Sequence, residues 1–556
     1  MPLRHPCWAT MLFSAALLLP GSLQTDVLFA QGAQPSRGTA EKVQRHSSPK
    51  TQTPIKHIVV IFQENISFDH YFATYPSAAN LPGETPFHAD EHTPGVNNLL
   101  SGRLLDHNPN STQPFRMNPA MPVTCDQNHG YTAEQDAFDR GMMDKFPQST
   151  GVARAGCNDY GKGAGVVMGY FDGNTTTAIW NYAQHYAMSD NSFSTMFGPS
   201  AIGALNLVAG STAVATLVPL TPNGRAANPS GNIAGGKRDP FLKTGAAIGD
   251  PMPGWDDCVL TNPKLQNTSM ITERGKNIGD LLNARGVTWG WFEAGFAPTG
   301  ADPQGHAICG SHHTGLAGDD SVTVFGDYVP HHEPFQYYFQ SSNQHHTRPS
   351  DSKLIGSSRD GTNHQYDLAD FWTALNQGVL PSVTYLKAAA YQDGHPGYSD
   401  PTDEQTWLVG VINALQNSPY WSDLAIVLAY DDSDGWYDHV MGPLVNQSAV
   451  SEDTLFGGNC GAPSTSTQGQ CGYGPRQPLL IISPYARQNF VDHHVTDQSS
   501  ILRFIEDNWN LGRIGGNSSD AKAGMLGGMF NFHRKKRAPK LTLDPSSGAI
   551  VQQKQK

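Results

Sequence analysis

Apolar and polar positions along this chain follow two periods. Short runs rich in Val, Ile and Leu alternate with longer segments whose apolar residues recur at helical spacing. "IKHIVVIFQE" (55–64) reads as a buried strand, and "TTAIWNYAQHYAM" as an amphipathic helix. "NIGDLLNARG" then "VTWGWFEAG" reads as helix, glycine stop and strand, and "DLADFWTALNQG" then "PSVTYLK" repeats the arrangement. "DPTDEQTWLVGVINALQNSPYWSD" before "LAIVLAYDD" repeats it again, with Asp403 and Glu404 in the first helical turn, where the helix dipole favours anions. "QPLLIISPY" is a further strand and "TDQSSILRFIEDNW" a further helix. Such alternation predicts an α/β fold with a mostly parallel sheet covered by helices on both faces. Reactive groups of such sheets gather beyond the C-terminal ends of the strands.

The Gly-, Asn- and Pro-rich stretches near 81–125, 210–270 and 300–362 read as long loop insertions around that sheet. At the N-terminus, Arg4 and His5 precede the apolar run "MLFSAALLLPG" (11–21), which is too short to span a membrane comfortably and is broken by Pro20-Gly21. The expected organisation is a signal peptide over 1–30, a flexible linker over 31–53, one domain with insertions over 54–540 and a C-terminal tail over 541–556. That organisation predicts a periplasmic or secreted protein. Cys125, Cys157, Cys258, Cys309, Cys460 and Cys471 follow the signal, an even number that suits disulfides in an exported chain. Sequential pairing, 125–157, 258–309 and 460–471, would close three loop-rich surface excursions.

Charge narrows the partners. With 36 Lys+Arg against 49 Asp+Glu, the net charge of -13 repels nucleic acid and anionic membranes. The basic "HRKKRAPK" (533–540) reads as a solvated stretch capable at most of transient contact with an anionic surface. An anionic substrate would therefore need local positive charge from a metal, histidines or a helix N-terminus.

Two predicted strands end in polar pairs: Glu64-Asn65 and Asp431-Asp432. Oxygen donors at neighbouring strand ends suit a hard divalent cation, and adjacent carboxylates repel without one. The residues alone leave a turn open for "DDSDG", and a turn leading to a capped helix open for Asn65-Ile66-Ser67. In "FGPSAIGALNLVAGS", Ser200 falls at the N-terminus of a predicted helix, where unpaired N–H groups would favour an oxyanion. A simple N-cap serine is the competing reading. His129, His331, His332, His395 and His439 stand among polar loop residues. No H-E-x-x-H occurs, "GKGAG" (161–165) lacks the ending of a phosphate loop, and the serine is not in G-x-S-x-G, so zincin, nucleotide-loop and α/β-hydrolase readings fall away.

Six motifs in this order, "IKHIVVIFQENISFDHYFATYP", "FSTMFGPSAIGALNLVAGS", "HHEPFQYY", "QDGHPGYSD", "LAYDDSDGWYDHV" and "PLLIISPYAR", resemble the bacterial phosphoesterase family of secreted acid phosphatases and nonspecific phospholipases C. The resemblance runs from about Ile55 to Trp509 and implies an alkaline-phosphatase-like three-layer sandwich. It also implies one divalent metal ion held by Glu64, Asn65, Asp431 and Asp432, with Ser200 as nucleophile. His129, His332 and His395 would surround the phosphate, with His331 and His439 as further contacts or supports. In the phospholipase branch a Thr commonly stands where Ser200 does, so the resemblance puts phosphomonoesters first and phospholipids second as substrates. A noncatalytic, exported metal- or phosphate-binding protein would use the same ligands but leave Ser200 without a role.

Overall fold

The computed structural model describes residues 49–154, 158–218, 233–238, 243–265, 268–313, 325–461, 469–533 and 538–551. An eight-stranded sheet runs through its centre. Its strands are β1 (His57–Gln63), β2 (Ala187–Ser189), β3 (Trp289–Glu293), β4 (Gln365–Asp367), β5 (Val383–Lys387), β6 (Leu424–Tyr430), β7 (Leu479–Ile482) and β8 (Phe490–Asp492). They lie in the order β4-β3-β5-β1-β6-β7-β2-β8. All neighbours are parallel except where β7 runs against β6 and β2. This is the mostly parallel α/β sheet that the alternating pattern predicts.

The central strands are apolar throughout because both of their faces are covered. Every residue of β6 is buried, and β1 is buried from Ile58 onward. The principal helices are α1 (Phe68–Phe72), α2 (Tyr131–Phe138), α3 (Thr177–His185), α4 (Ser200–Ala209), α5 (Ile278–Arg285), α6 (Leu368–Gln377), α7 (Pro401–Asn417) and α8 (Gln498–Trp509). Their ends follow local chemistry. Asp367 caps α6 through the Ala369 N–H and forms a capping box with Asp370, while Gly378 ends the helix in the left-handed conformation. Asp400 accepts from the N–H groups of Thr402 and Asp403 at the start of α7.

The insertion around 210–270 builds a second sheet of five short strands between Ala215 and Thr272. Disulfides join Cys258 to Cys309 and Cys460 to Cys471. The remaining expected pair includes Cys157, which lies outside the described residues, as do the signal peptide and most of the linker.

Residues 541–551 of the expected tail pack against the domain, and 552–556 lie outside the described residues. Leu541 and Leu543 are buried, Gln416 and Asn413 of α7 donate to their carbonyls, and Asn181 of α3 donates to Gly548. The C-terminal segment is thus tied to two helices through their amide side chains. Among the described residues no helix is long and apolar enough to cross a membrane.

Candidate active site

β1 and β6 are adjacent and in register, with Gln63 opposite Tyr430. The next residues on each, Glu64-Asn65 and Asp431-Asp432, therefore leave the sheet side by side. Asn65 adopts φ +64°, a left-handed turn that Asn tolerates better than most side chains. Its N–H then donates to Asp431 Oδ1 at 2.9 Å, and its amide nitrogen to Asp434 Oδ1 at 3.3 Å.

α4 points its first residue at this pair of strand ends. Ser200 Oγ lies 3.0 Å from Asp432 Oδ2, 3.1 Å from Glu64 Oε2 and 3.4 Å from Asn65 Oδ1, and Ser200 is buried. Gly203 makes the approach possible. A Cβ there would sit 2.1 Å from the carbonyl oxygen of Asp431. Two of the N-terminal N–H groups of α4, on which an oxyanion could draw, are already engaged. Ala201 N–H donates to Asp250 Oδ1, and Ile202 N–H to the Pro199 carbonyl.

The oxygen cluster fits a divalent cation. A serine hydroxyl has one hydrogen to donate, yet three acceptor oxygens crowd Ser200 Oγ. Asp431 Oδ2 is buried with no hydrogen-bond partner. Burial and the adjacent Asp431 push the Asp432 carboxyl well above the usual carboxylate range. Carboxylate, amide and hydroxyl oxygens are the donors a hard cation takes, and such an ion would relieve all three conflicts.

Histidines ring the cluster on two sides. His332 Nδ1 lies 3.3 Å from Glu64 Oε1, with His331 edge-on to it at 4.5 Å between ring centroids. His129 Nδ1 lies 3.1 Å from Asp434 Oδ1, and its ring is 6.3 Å from that of His395. Burial opposes charge on His129, but Asp432, Asp434 and Asp126 outweigh it and hold the imidazolium well above its ordinary range. Burial pushes His395 down to about 4 and His332 and His331 below their ordinary value. Burial thus disfavours charge on His395 and His332, whereas the carboxylates around His129 favour it there.

His439 is elsewhere. Its Nδ1 pairs with Asp69 Oδ2 at 2.6 Å, beside buried Arg476, which also binds Asp438. That group supports the loop after β6 from α1 and has no contact with Ser200.

Several groups at the site carried no motif signal of their own. Lys387, the last residue of β5, is buried with its ammonium against Glu64 Oε1. Burial lowers its pKa, while Asp431, Asp393, Asp432 and Glu404 oppose the fall. Glu134 of α2, which burial pushes up to about 7, accepts from Gly198 N–H at 2.9 Å and from Ser433 Oγ at 2.7 Å, joining the loop before Ser200 to the loop after Asp432. The position of Lys387 at a strand end beside β1 was the one available clue.

The model of the Phosphoesterase family matches residues 55–512, and the chain belongs to that family. Curated relatives include a non-hemolytic phospholipase C of Burkholderia pseudomallei, 24% identical over 82% of this chain and 55% of the relative. Phospholipase C B of Mycobacterium tuberculosis is 22% identical over 89% of this chain and 81% of the relative. A hemolytic phospholipase C of Pseudomonas aeruginosa is 24% identical, and this chain spans 59% of its length. This chain thus covers little more than half of the two longer relatives. A solved protein of the alkaline phosphatase superfamily from Vibrio parahaemolyticus aligns with 74% of this chain and 75% of its own, at a TM-score of 0.26 and 12% identity, a likeness too weak to define fold or activity.

Proposed function

We propose that this chain is a metal-dependent phosphoric ester hydrolase that works through a phosphoserine at Ser200. The observation that carries the reading is the placement of a buried serine hydroxyl within 3.0–3.4 Å of Asp432, Glu64 and Asn65 at the ends of two parallel strands. A divalent ion held by Glu64, Asn65, Asp431 and Asp432 would lower the pKa of the serine hydroxyl and draw charge from the phosphoryl oxygens.

The chain's own residues account for the remaining steps. Glu64 Oε2 and Asp432 Oδ2 are the nearest acceptors for the hydroxyl proton, and Oγ attacks phosphorus in line as the alcohol leaves on the opposite side. His129 supplies a charged donor for the phosphoryl oxygens, and His395, once protonated, gives its proton to the leaving alkoxide. Water then cleaves the phosphoserine, releasing phosphate and restoring the hydroxyl. Burial pushes His395 down to about 4, so its protonated form is favoured in acid and an acid phosphatase profile is expected. Phosphomonoesters are the first substrate class. The second reading is a phospholipase C acting on phosphatidylcholine-type lipids, favoured by the relatives described as phospholipases C.

Rates on p-nitrophenyl phosphate and p-nitrophenyl phosphorylcholine, taken side by side, separate the two. A higher kcat/KM on the monoester supports the first reading, and the reverse order supports the second. Ser200→Ala should reduce both rates by at least about 10³-fold, as expected when a nucleophile is removed. Either rate retained in that variant would overturn the nucleophile assignment.

A further inference from the structure

Beside the serine lies a second grouping of donors with a different content. Glu64, His332 and Asp393 each offer one atom, mutually within 4.8 Å, and all three residues are buried. Two carboxylates and an imidazole form a donor set that transition metals accept. Two donor atoms around this grouping are unused. Asp393 Oδ1 accepts from His395 N–H, while Oδ2 has no partner, and neither has His332 Nε2. The Lys387 ammonium stands against Glu64 Oε1, the oxygen that His332 Nδ1 also faces, while Glu64 Oε2 is turned to Ser200.

We propose that Lys387 is a built-in cation occupying the place of a second metal ion, so that the centre takes one divalent ion where Glu64 could otherwise bridge two. The ammonium is brought there by the sheet. β5 lies next to β1, with Leu386 opposite Ile61, and the lysine side chain therefore reaches the end of β1 from the flank opposite β6. Glu64 is left with one oxygen for the ion beside Ser200, which makes Lys387 a positioning residue for that carboxylate. Two-metal phosphoryl-transfer centres share a ligand between ions about 3.5–4 Å apart, and a lysine ammonium in the second position satisfies the same oxygen with a single fixed charge. Buried carboxylates stripped of that charge would be left unpaired, a strongly unfavourable state that an added cation can relieve.

The inference rests on the reading of Glu64, Asn65, Asp431 and Asp432 as a one-ion site. Its test is metal stoichiometry in the full chain, with no recourse to activity. The protein is stripped with chelator, equilibrated with excess zinc chloride, desalted and analysed for zinc per chain, with thermal unfolding recorded in chelator and in zinc. Wild type should hold one zinc. Lys387→Met, which keeps most of the apolar stem of the side chain and removes the charge, should hold two and gain more thermal stability from zinc than wild type gains. Adding His332→Ala to Lys387→Met should return the count to one. One zinc in both wild type and Lys387→Met overturns the inference while leaving the one-ion site standing. Two zincs in wild type overturn it as well, and none in wild type overturns the one-ion reading beneath it. A Lys387→Met protein that remains unfolded in saturating zinc also contradicts the proposal, since the second ion should replace the lost charge.

Discussion

At φ +64° Asn65 turns the chain away from β1 while its N–H, its amide nitrogen and its amide oxygen meet Asp431, Asp434 and Ser200. An aspartate would tolerate the turn but add a fifth carboxylate beside Glu64, Asp431, Asp432 and Asp434. Not every buried carboxyl is offset by such a partner. Glu506 of α8 is buried beside Asp520, and one oxygen of each has no other partner. Burial and Asp520 push Glu506 up to about 9 against the opposing Arg513. A carboxyl raised in the folded state stabilises while protonated, so its contribution is full below its ordinary value of 4.5 and is lost as pH rises through about 9. Glu506→Gln should therefore flatten the decline of the unfolding temperature between roughly pH 5 and pH 9. Equal declines in wild type and variant would show that the pair is not sharing a proton. The two strand-end pairs could be seen in sequence because acidic and amide residues interrupt apolar runs there. Glu506 and Asp520 could not, because a glutamate within an amphipathic helix looks the same whether it faces water or a second carboxyl.

The site depends on one close approach between elements, that of α4 to the end of β6. Gly203 lies on the face of α4 that meets Asp431, in a helix that is buried all round. Gly203→Ala should push the helix away and carry Ser200 out of reach of the strand-end oxygens. Overpacking of this kind costs about 1–3 kcal/mol, and a displacement of about 1 Å at a nucleophile reduces rate about 10²-fold. Thermal unfolding and kcat on a phosphomonoester measure the two effects. An unchanged kcat would mean that α4 relaxes without moving the serine. The apolar run of α4 made the helix legible in sequence, and small residues marked it as closely packed. Its contact with β6, some 230 positions away, needed the sheet order. The direction of β7 was hidden for the same reason. "QPLLIISPY" reads as a buried strand whichever way it runs, and only its pairing with β6 and β2 shows it reversed.

Across the whole molecule, an acidic chain brings its proposed reactive groups together at the C-terminal ends of two central strands and supplies positive charge there locally. The charge comes from Lys387, from His129 and, on the proposed reading of the strand ends, from one divalent ion. Motif order located the four proposed oxygen ligands and the serine. The lysine escaped because a single basic residue at a strand end carries no pattern, and the sequence left open whether His439 contacts or supports the site because its motif neighbours do both. The packing of residues 541–551 escaped because they are held by amide side chains and two leucines rather than by a periodic apolar face. The central claim is that the phosphoryl group passes through Ser200. Acid quenching of the metal-loaded enzyme during turnover of a phosphomonoester, followed by mass spectrometry of its peptides, tests this directly. A phosphoryl group on Ser200, absent before substrate is added, is the predicted result. Steady turnover with Ser200 unmodified, or with the phosphoryl group on a histidine, would contradict it.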